Sequence, residues 1–159
     1  MRGSGHYKKA AKIWLMAGTC FALAVIMAFC VPQSALCGSQ NDREEEAVLQ
    51  AARKFLDAEI RRDYPAIYAC FAPSSPYTKT NSYEQYLAQA KLAPDRVVKY
   101  RIIDISYIKN NEDRQKFSSV DKIAQVEVDV TFLHVSTKYR SEVNIGFIFL
   151  KEAGKWYKS

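Results

Sequence analysis

The sequence predicts an α+β fold, with N-terminal helices packed on a strongly curved antiparallel sheet and an apolar helix ahead of them. Three observations predict it. Residues 13–31, IWLMAGTCFALAVIMAFCV, carry no charged side chain. Between Asn41 and Leu92, apolar residues recur at the 3.6-residue period of helices. From Val97 onward they alternate at the period of two that marks half-buried strands. Helices followed by a run of strands form an α+β layout, in which the helices are the cover available for the apolar face of the sheet.

The first helix is expected over Asn41–Asp63. Asp42 and Glu45 have the spacing of a capping-box variant, and Glu44, Glu45 and Glu46 suit the positive N-terminal end of a helix. Val48, Ala52, Phe55, Leu56 and Ile60 form its apolar stripe, and Arg61 and Arg62 fall in its last turn. Asp63 is a good N-cap for a short second helix with Pro65 in its first turn; Ile67, Tyr68, Cys70 and Phe71 are its core candidates. "APSSP" ends it. Ser82 with Gln85 is a second capping box, opening a third helix through about Leu92 that Pro94 stops. "RVVKYRIIDISYIK" reads as a long strand with a bulge near Ile102–Ile103. "NNEDRQKFSSVD" is a polar hairpin loop. In "IAQVEVDVTFLHVS", Ala124, Val126, Val128, Val130 and Phe132 share one face, while Gln125, Glu127, Asp129 and Thr131 share the other. "YRSEVNIGFIFLK" repeats the pattern with Val143, Ile145, Phe147 and Phe149, and "GKWYKS" begins a last strand.

Composition narrows the function classes. The 159 residues are 48% hydrophobic and 25% charged, an ordinary globular balance, with a net charge of +6. Residues 1–38 hold four of the 23 basic residues, Arg2, Lys8, Lys9 and Lys12, and no acid; the remainder carries 19 basic against 17 acidic residues. The folded part is close to neutral, which argues against a nucleic-acid partner. Cys20 and Cys30 lie in the apolar run and Cys37 at its edge, so Cys70 alone belongs to the folded part and no disulfide framework forms within it. Cys70 reads as a small buried apolar side chain.

Lys8, Lys9 and Lys12 immediately precede the apolar run, the layout of an export signal. Residues 1–38 are therefore expected to be a signal peptide or a membrane anchor, and residues 39–159 an α+β domain placed on the periplasmic or other extracytoplasmic side. Three outcomes are open. Nineteen apolar residues are long enough to span a bilayer core of about 30 Å. Alternatively, Ala35 and Cys37 occupy the −3 and −1 positions of a cut before Gly38. Finally, "SALCGSQ" resembles a bacterial lipobox that would lipidate Cys37, departing from it at Leu36, where lipoproteins have a small residue.

From about Asp42 to Ser159 the chain resembles the NTF2-like, or cystatin-like α+β barrel, family. Three features carry the resemblance: the first helix running into "RRDYPAIYACF", the long curved strands, and the terminal "LKEAGKWYKS". The last resembles the lysine–acid–Gly–x–Trp close of many exported members. The resemblance implies a bent sheet wrapped around a long helix, often leaving a cone-shaped pocket. Some members are enzymes of the ketosteroid isomerase or polyketide cyclase type, and many exported ones are binding or accessory domains. Members often dimerise through the outer sheet face. A fold of this kind does not settle function.

The enzymes of that family use a pocket acid or a His–Asp pair as general base, and His134 is the candidate here. It shares parity with Val126, Val128, Val130 and Phe132, which points it inward at a strand end. The competing reading is a histidine bonded locally or exposed where the strand frays. Asp104 is the candidate to orient it, against the reading of a solvent-facing acid. For Asp63, capping is a full account, and Asp57, Glu127 and Asp129 fall on polar faces. Tyr64, Tyr68, Tyr83, Tyr86, Tyr100 and Tyr107 are available to line a pocket with their hydroxyls, or to fill half-exposed positions. The expected ligand-binding set is Tyr68, Tyr100, Phe132 and His134. Two histidines supply no conventional metal site, no Gly-rich phosphate loop is present, and no cofactor is expected. The leading expectation is a non-catalytic exported domain binding a small hydrophobic ligand or an envelope protein. The alternatives are a small lyase or isomerase with His134 as base, and a structural subunit dimerising through its sheet.

Overall fold

A computed structural model describes residues 40–159. The run at 13–31, the Ala35–Cys37–Gly38 cut and the Cys37 lipobox lie outside the described residues. Among those described, no helix is long and apolar enough to cross a membrane.

Four helices precede four strands: α1 (Gln40–Arg61), α2 (Tyr64–Tyr68), α3 (Pro76–Thr80), α4 (Tyr83–Leu92), β1 (Asp95–Asn110), β2 (Val120–His134), β3 (Arg140–Glu152) and β4 (Lys155–Lys158). The strands form one antiparallel meander in the order β1-β2-β3-β4. Helix α1 touches both edge strands, β1 and β4, as well as β2, so the sheet wraps around it. This α+β architecture is the one that the NTF2-like resemblance implies.

Local chemistry sets the helix ends. The Ser82 hydroxyl accepts from the Gln85 amide while the Gln85 side chain accepts from the Ser82 amide, a complete capping box. Asp63 Oδ1 accepts from the Ala66 amide at 3.2 Å, and Pro65 sits in the first turn of α2. Asp42, expected as a cap, lies instead inside the first turn of α1, because the helix begins at Gln40. Helix α1 closes through a Schellman pair: Asp63 N–H donates to Ala58 C=O at 3.0 Å and Arg62 N–H to Glu59 C=O at 3.1 Å. The closure places Arg62 in the left-handed region, at φ 56°. Helix α3 has no counterpart in the sequence reading. Ser75, fully buried, caps it by accepting from the Thr78 amide.

The core lies between α1 and the concave face of the sheet. Val48, Ala52, Phe55, Leu56 and Ala58 of α1 meet Ala124, Val126, Val128, Val130 and Phe149, with Ile67, Cys70, Tyr86 and Trp156 closing the sides. The predicted alternation is cleanest in β2, where Ala124, Val126, Val128 and Val130 are fully buried. Ile60, expected in the stripe, is 40% exposed. At 100° per residue from Val48, Ile60 falls roughly 120° away and Glu59 roughly 20° away, so Glu59 holds the central position instead. Val143, expected inside, is 46% exposed; it pairs with Val130, but β4 reaches only Phe149–Glu152 and leaves this end of β3 uncovered.

Strand β1 shifts register against β2 between Val97 and Lys99, between Ile102 and Asp104, and between Ile105 and Tyr107. The middle shift is the bulge expected near Ile102–Ile103. Bulges increase local twist and bend, which suits a strand curling around a helix. The loop after β1 folds on Asn111, whose buried amide donates to Phe117 C=O at 2.8 Å and Val120 C=O at 3.0 Å.

Candidate functional site

A cavity of about 330 Å³ lies among the C-terminal half of α1, helix α4 and the concave sheet. Phe55 and Leu56 project into it from α1, Ala90 from α4, Val97 from β1, Phe132 from β2, and Ile145 and Phe147 from β3. Strand alternation puts Phe132, Ile145 and Phe147 on one face, and Phe55 stands edge-on to Phe147 at 5.8 Å between centroids.

One turn after Phe55, α1 brings Glu59 into the same space. Burial raises its carboxyl pKa above the ordinary value, and among the described residues no hydrogen bond or opposite charge offsets that effect. Tyr86 enters from α4 and is 7% exposed. Its phenol is also pushed up, first by burial and then by the charge of Glu59. Arg62 and Tyr64 close the rim. Arg62 Nε and Nη2 both donate to the Tyr64 hydroxyl, at 2.9 and 2.5 Å, and the guanidinium stands 5.6 Å from the ring centroid. Tyr64 meets Tyr86 edge-on at 6.4 Å. Asp95 and Arg96 line the β1 side of the opening. The arrangement is an apolar, aromatic chamber with one carboxyl and one phenol inside it and opposing charges at its mouth.

Of the expected ligand-binding residues, Phe132 lines this cavity; Tyr68, Tyr100 and His134 do not. Tyr68 donates its hydroxyl to Asn81 C=O at 2.9 Å, within a ring cluster that includes Phe71, Tyr83 and Tyr86. Tyr100 packs against the core and donates to Asp57 Oδ1 at 2.7 Å; burial, and then that bond, push its phenol up to about 12. His134 has the expected parity, but it falls past Phe132 at the strand end. Its Nδ1 lies 2.7 Å from Asp95 Oδ1, with 36% of the side chain exposed.

Asp104 is not brought to His134. It pairs opposite Glu127 while His134 pairs opposite Asp95, nine positions away along β1, and it is exposed, its Oδ1 accepting from the Ile105 amide at the bulge. Counted along β2, where Glu127 and His134 are seven positions apart, the separation is roughly 23 Å at about 3.3 Å per residue. Among the wider group of tyrosines, Tyr64 and Tyr86 reach the cavity.

Glu59 escaped the sequence reading, although a signal for it existed. It lies four residues after Phe55 and three after Leu56, which places an acid on an apolar stripe. Elsewhere, the outer sheet face carries polar chains: Arg101 and Asn144 both donate to Asp129, and Gln125 and Ser106 both donate to Glu127. Cys70 is buried and free, and burial raises its thiol pKa, the opposite of an activated nucleophile. Among the described residues, no three His, Cys, Asp or Glu side chains gather at metal-ligand range.

No family model and no curated protein matches the chain. Among solved structures, it is similar to a ketosteroid isomerase-like protein from Erwinia carotovora atroseptica SCRI1043, at 17% identity and a TM-score of 0.47. That similarity covers 74% of this chain and 92% of the other.

Proposed function

We propose that the domain is an exported, non-catalytic NTF2-like module that holds a small, mainly apolar molecule in the cavity between α1, α4 and the sheet. The observation that carries this reading is the cavity: about 330 Å³, walled by aromatic and aliphatic side chains, with very few polar groups inside. Its size and lining fit the range in which small-molecule sites fall. The basic flank and apolar run of residues 8–31 support export. The test is a thermal-shift screen of small apolar compounds, run on the full chain and on Ala90→Phe, which fills the chamber. Binding stabilises the native state by mass action, about 2.7 kcal/mol at a hundred times Kd. Compounds that raise the Tm of the wild type and not of Ala90→Phe support the reading; a broad panel with no shift removes it.

A second reading has one observation in its favour. Glu59 and the Tyr86 phenol share the cavity, and a desolvated carboxyl opposite a hydroxyl donor can remove a proton next to a ligand carbonyl. It replaces the His134–Asp104 pair with groups the chamber contains. Deuterium uptake next to the carbonyl of a bound ketone, lost in Glu59→Gln, is its signature. Ketones that bind without exchange would leave the non-catalytic reading alone.

A further inference from the structure

The cavity holds a half-buried acid that no neighbouring side chain among the described residues bonds. Glu59 projects into a space walled by Phe55, Phe132 and Phe147, and the cations at the mouth are not on it. Arg62 is engaged twice by the Tyr64 hydroxyl and lies over the Tyr64 ring. Arg96 is exposed on β1 beside Asp95. The groups around Glu59 include the phenols of Tyr64 and Tyr86, the engaged Arg62, the rim pair Asp95 and Arg96, and the buried Cys70 thiol, which feels its charge. None of them hydrogen-bonds its carboxyl, which keeps contact with solvent at the mouth, while the burial it does have disfavours the charged form.

We infer that the ligand is a lipophilic amine, whose ammonium group meets Glu59 while its hydrocarbon body lies against the phenylalanines. This rests on the apolar-ligand reading above and names the class of that ligand. Two features of the chamber favour a cation over the alternatives. An ammonium supplies the charge-assisted hydrogen bonds that the carboxylate lacks. The faces of Phe and Tyr rings attract cations electrostatically, and aromatic chambers closed by a carboxylate suit organic ammonium groups. A ligand carboxylate would meet like charge at Glu59. A neutral alcohol would offer one ordinary hydrogen bond and no charge.

The experiment is calorimetric titration of the full chain at pH 7. The probes are matched amines, alcohols and carboxylates on phenethyl, adamantyl and decalyl skeletons, measured with wild type, Glu59→Gln and Ala90→Phe. The expected result is that each amine binds at least about tenfold tighter than its alcohol. Glu59→Gln should abolish that preference while still binding the alcohols, and Ala90→Phe should bind none of the probes. Alcohols binding as tightly as amines, carboxylates binding best, or an amine preference surviving in Glu59→Gln would each overturn the amine inference and leave the apolar pocket standing. If no skeleton binds in any form, both the inference and the reading beneath it fail.

Discussion

Lys151 Nζ of β3 donates to Glu44 Oε1 of α1 at 2.5 Å, joining the N-terminal part of the long helix to the sheet. Lys122 of β2 stands 3.3 Å from the same oxygen, and the Trp156 indole of β4 donates to the other at 3.3 Å. Glu44 is only 14% exposed and satisfies three strands at once. Its Lys151 hydrogen bond holds its pKa below the ordinary value, against an opposing effect of burial. Glu44→Gln is expected to cost about 2 kcal/mol at pH 7, the scale of a charge-assisted hydrogen bond. A carboxylate with a lowered folded pKa stabilises above its unfolded value of 4.5, and that contribution disappears as the pH falls through the folded value. Urea unfolding of wild type and Glu44→Gln should therefore differ at pH 7 and converge in acid below pH 4.5.

Glu59 predicts the opposite pH slope. Its folded pKa is raised, so its contribution to stability is fully present below 4.5 and lost as the pH rises through the folded value. Glu59→Gln should be more stable than wild type at pH 7, by on the order of 1 kcal/mol. The gain should disappear near pH 4. A variant less stable than wild type at pH 7 would falsify the view that the carboxyl lacks a partner in the unliganded domain.

The strand end separates two candidate residues that are two positions apart. Phe132 lines the cavity, and His134, which does not, bonds Asp95 at its rim. Phe132→Ala should weaken any apolar ligand on the order of tenfold through lost contact area. His134→Ala should change the affinity less than about threefold. Calorimetry with the best compound from the thermal screen checks both, and a larger loss at His134 would return the site to the strand end.

The β3–β4 hairpin carries a removable strain. Its turn residues, Ala153 and Gly154, both have positive φ, at 47° and 78°. Glu152 pairs with Lys155 across them, which is a two-residue turn of the kind that favours Asn-Gly. Alanine in the left-handed region costs about 1 kcal/mol that asparagine largely avoids. Ala153→Asn should raise the Tm by a few degrees, measured by calorimetry.

The fold was legible because its signals are local and repeated. Alternation fixed the inner face of β2 from Ala124 to Phe132, and the Ser82–Gln85 and Asp63–Pro65 patterns fixed two helix starts. The site was less legible because it depends on where faces meet. Parity put His134 on the same side as Phe132, but it does not report how far along the strand the helical cover extends, and His134 ends beside Asp95 with 36% of its side chain exposed. Tyr100 faces the core, yet Asp57 holds its hydroxyl. Glu59 went unnoticed, although the angle around α1 puts it on the line between Val48, Ala52 and Phe55.

The bond from Lys151 to Glu44 spans 107 positions in the chain. Helix α1 therefore emerges long before β4, the strand that completes its surroundings, and must wait for a distant segment before its apolar stripe is covered. Closing so large a loop precedes any reward from the contact, which slows folding relative to domains built from neighbouring segments. During that interval the side of α1 that β4 and Trp156 will cover stays open, which leaves the nascent domain with exposed apolar surface until the last strand arrives.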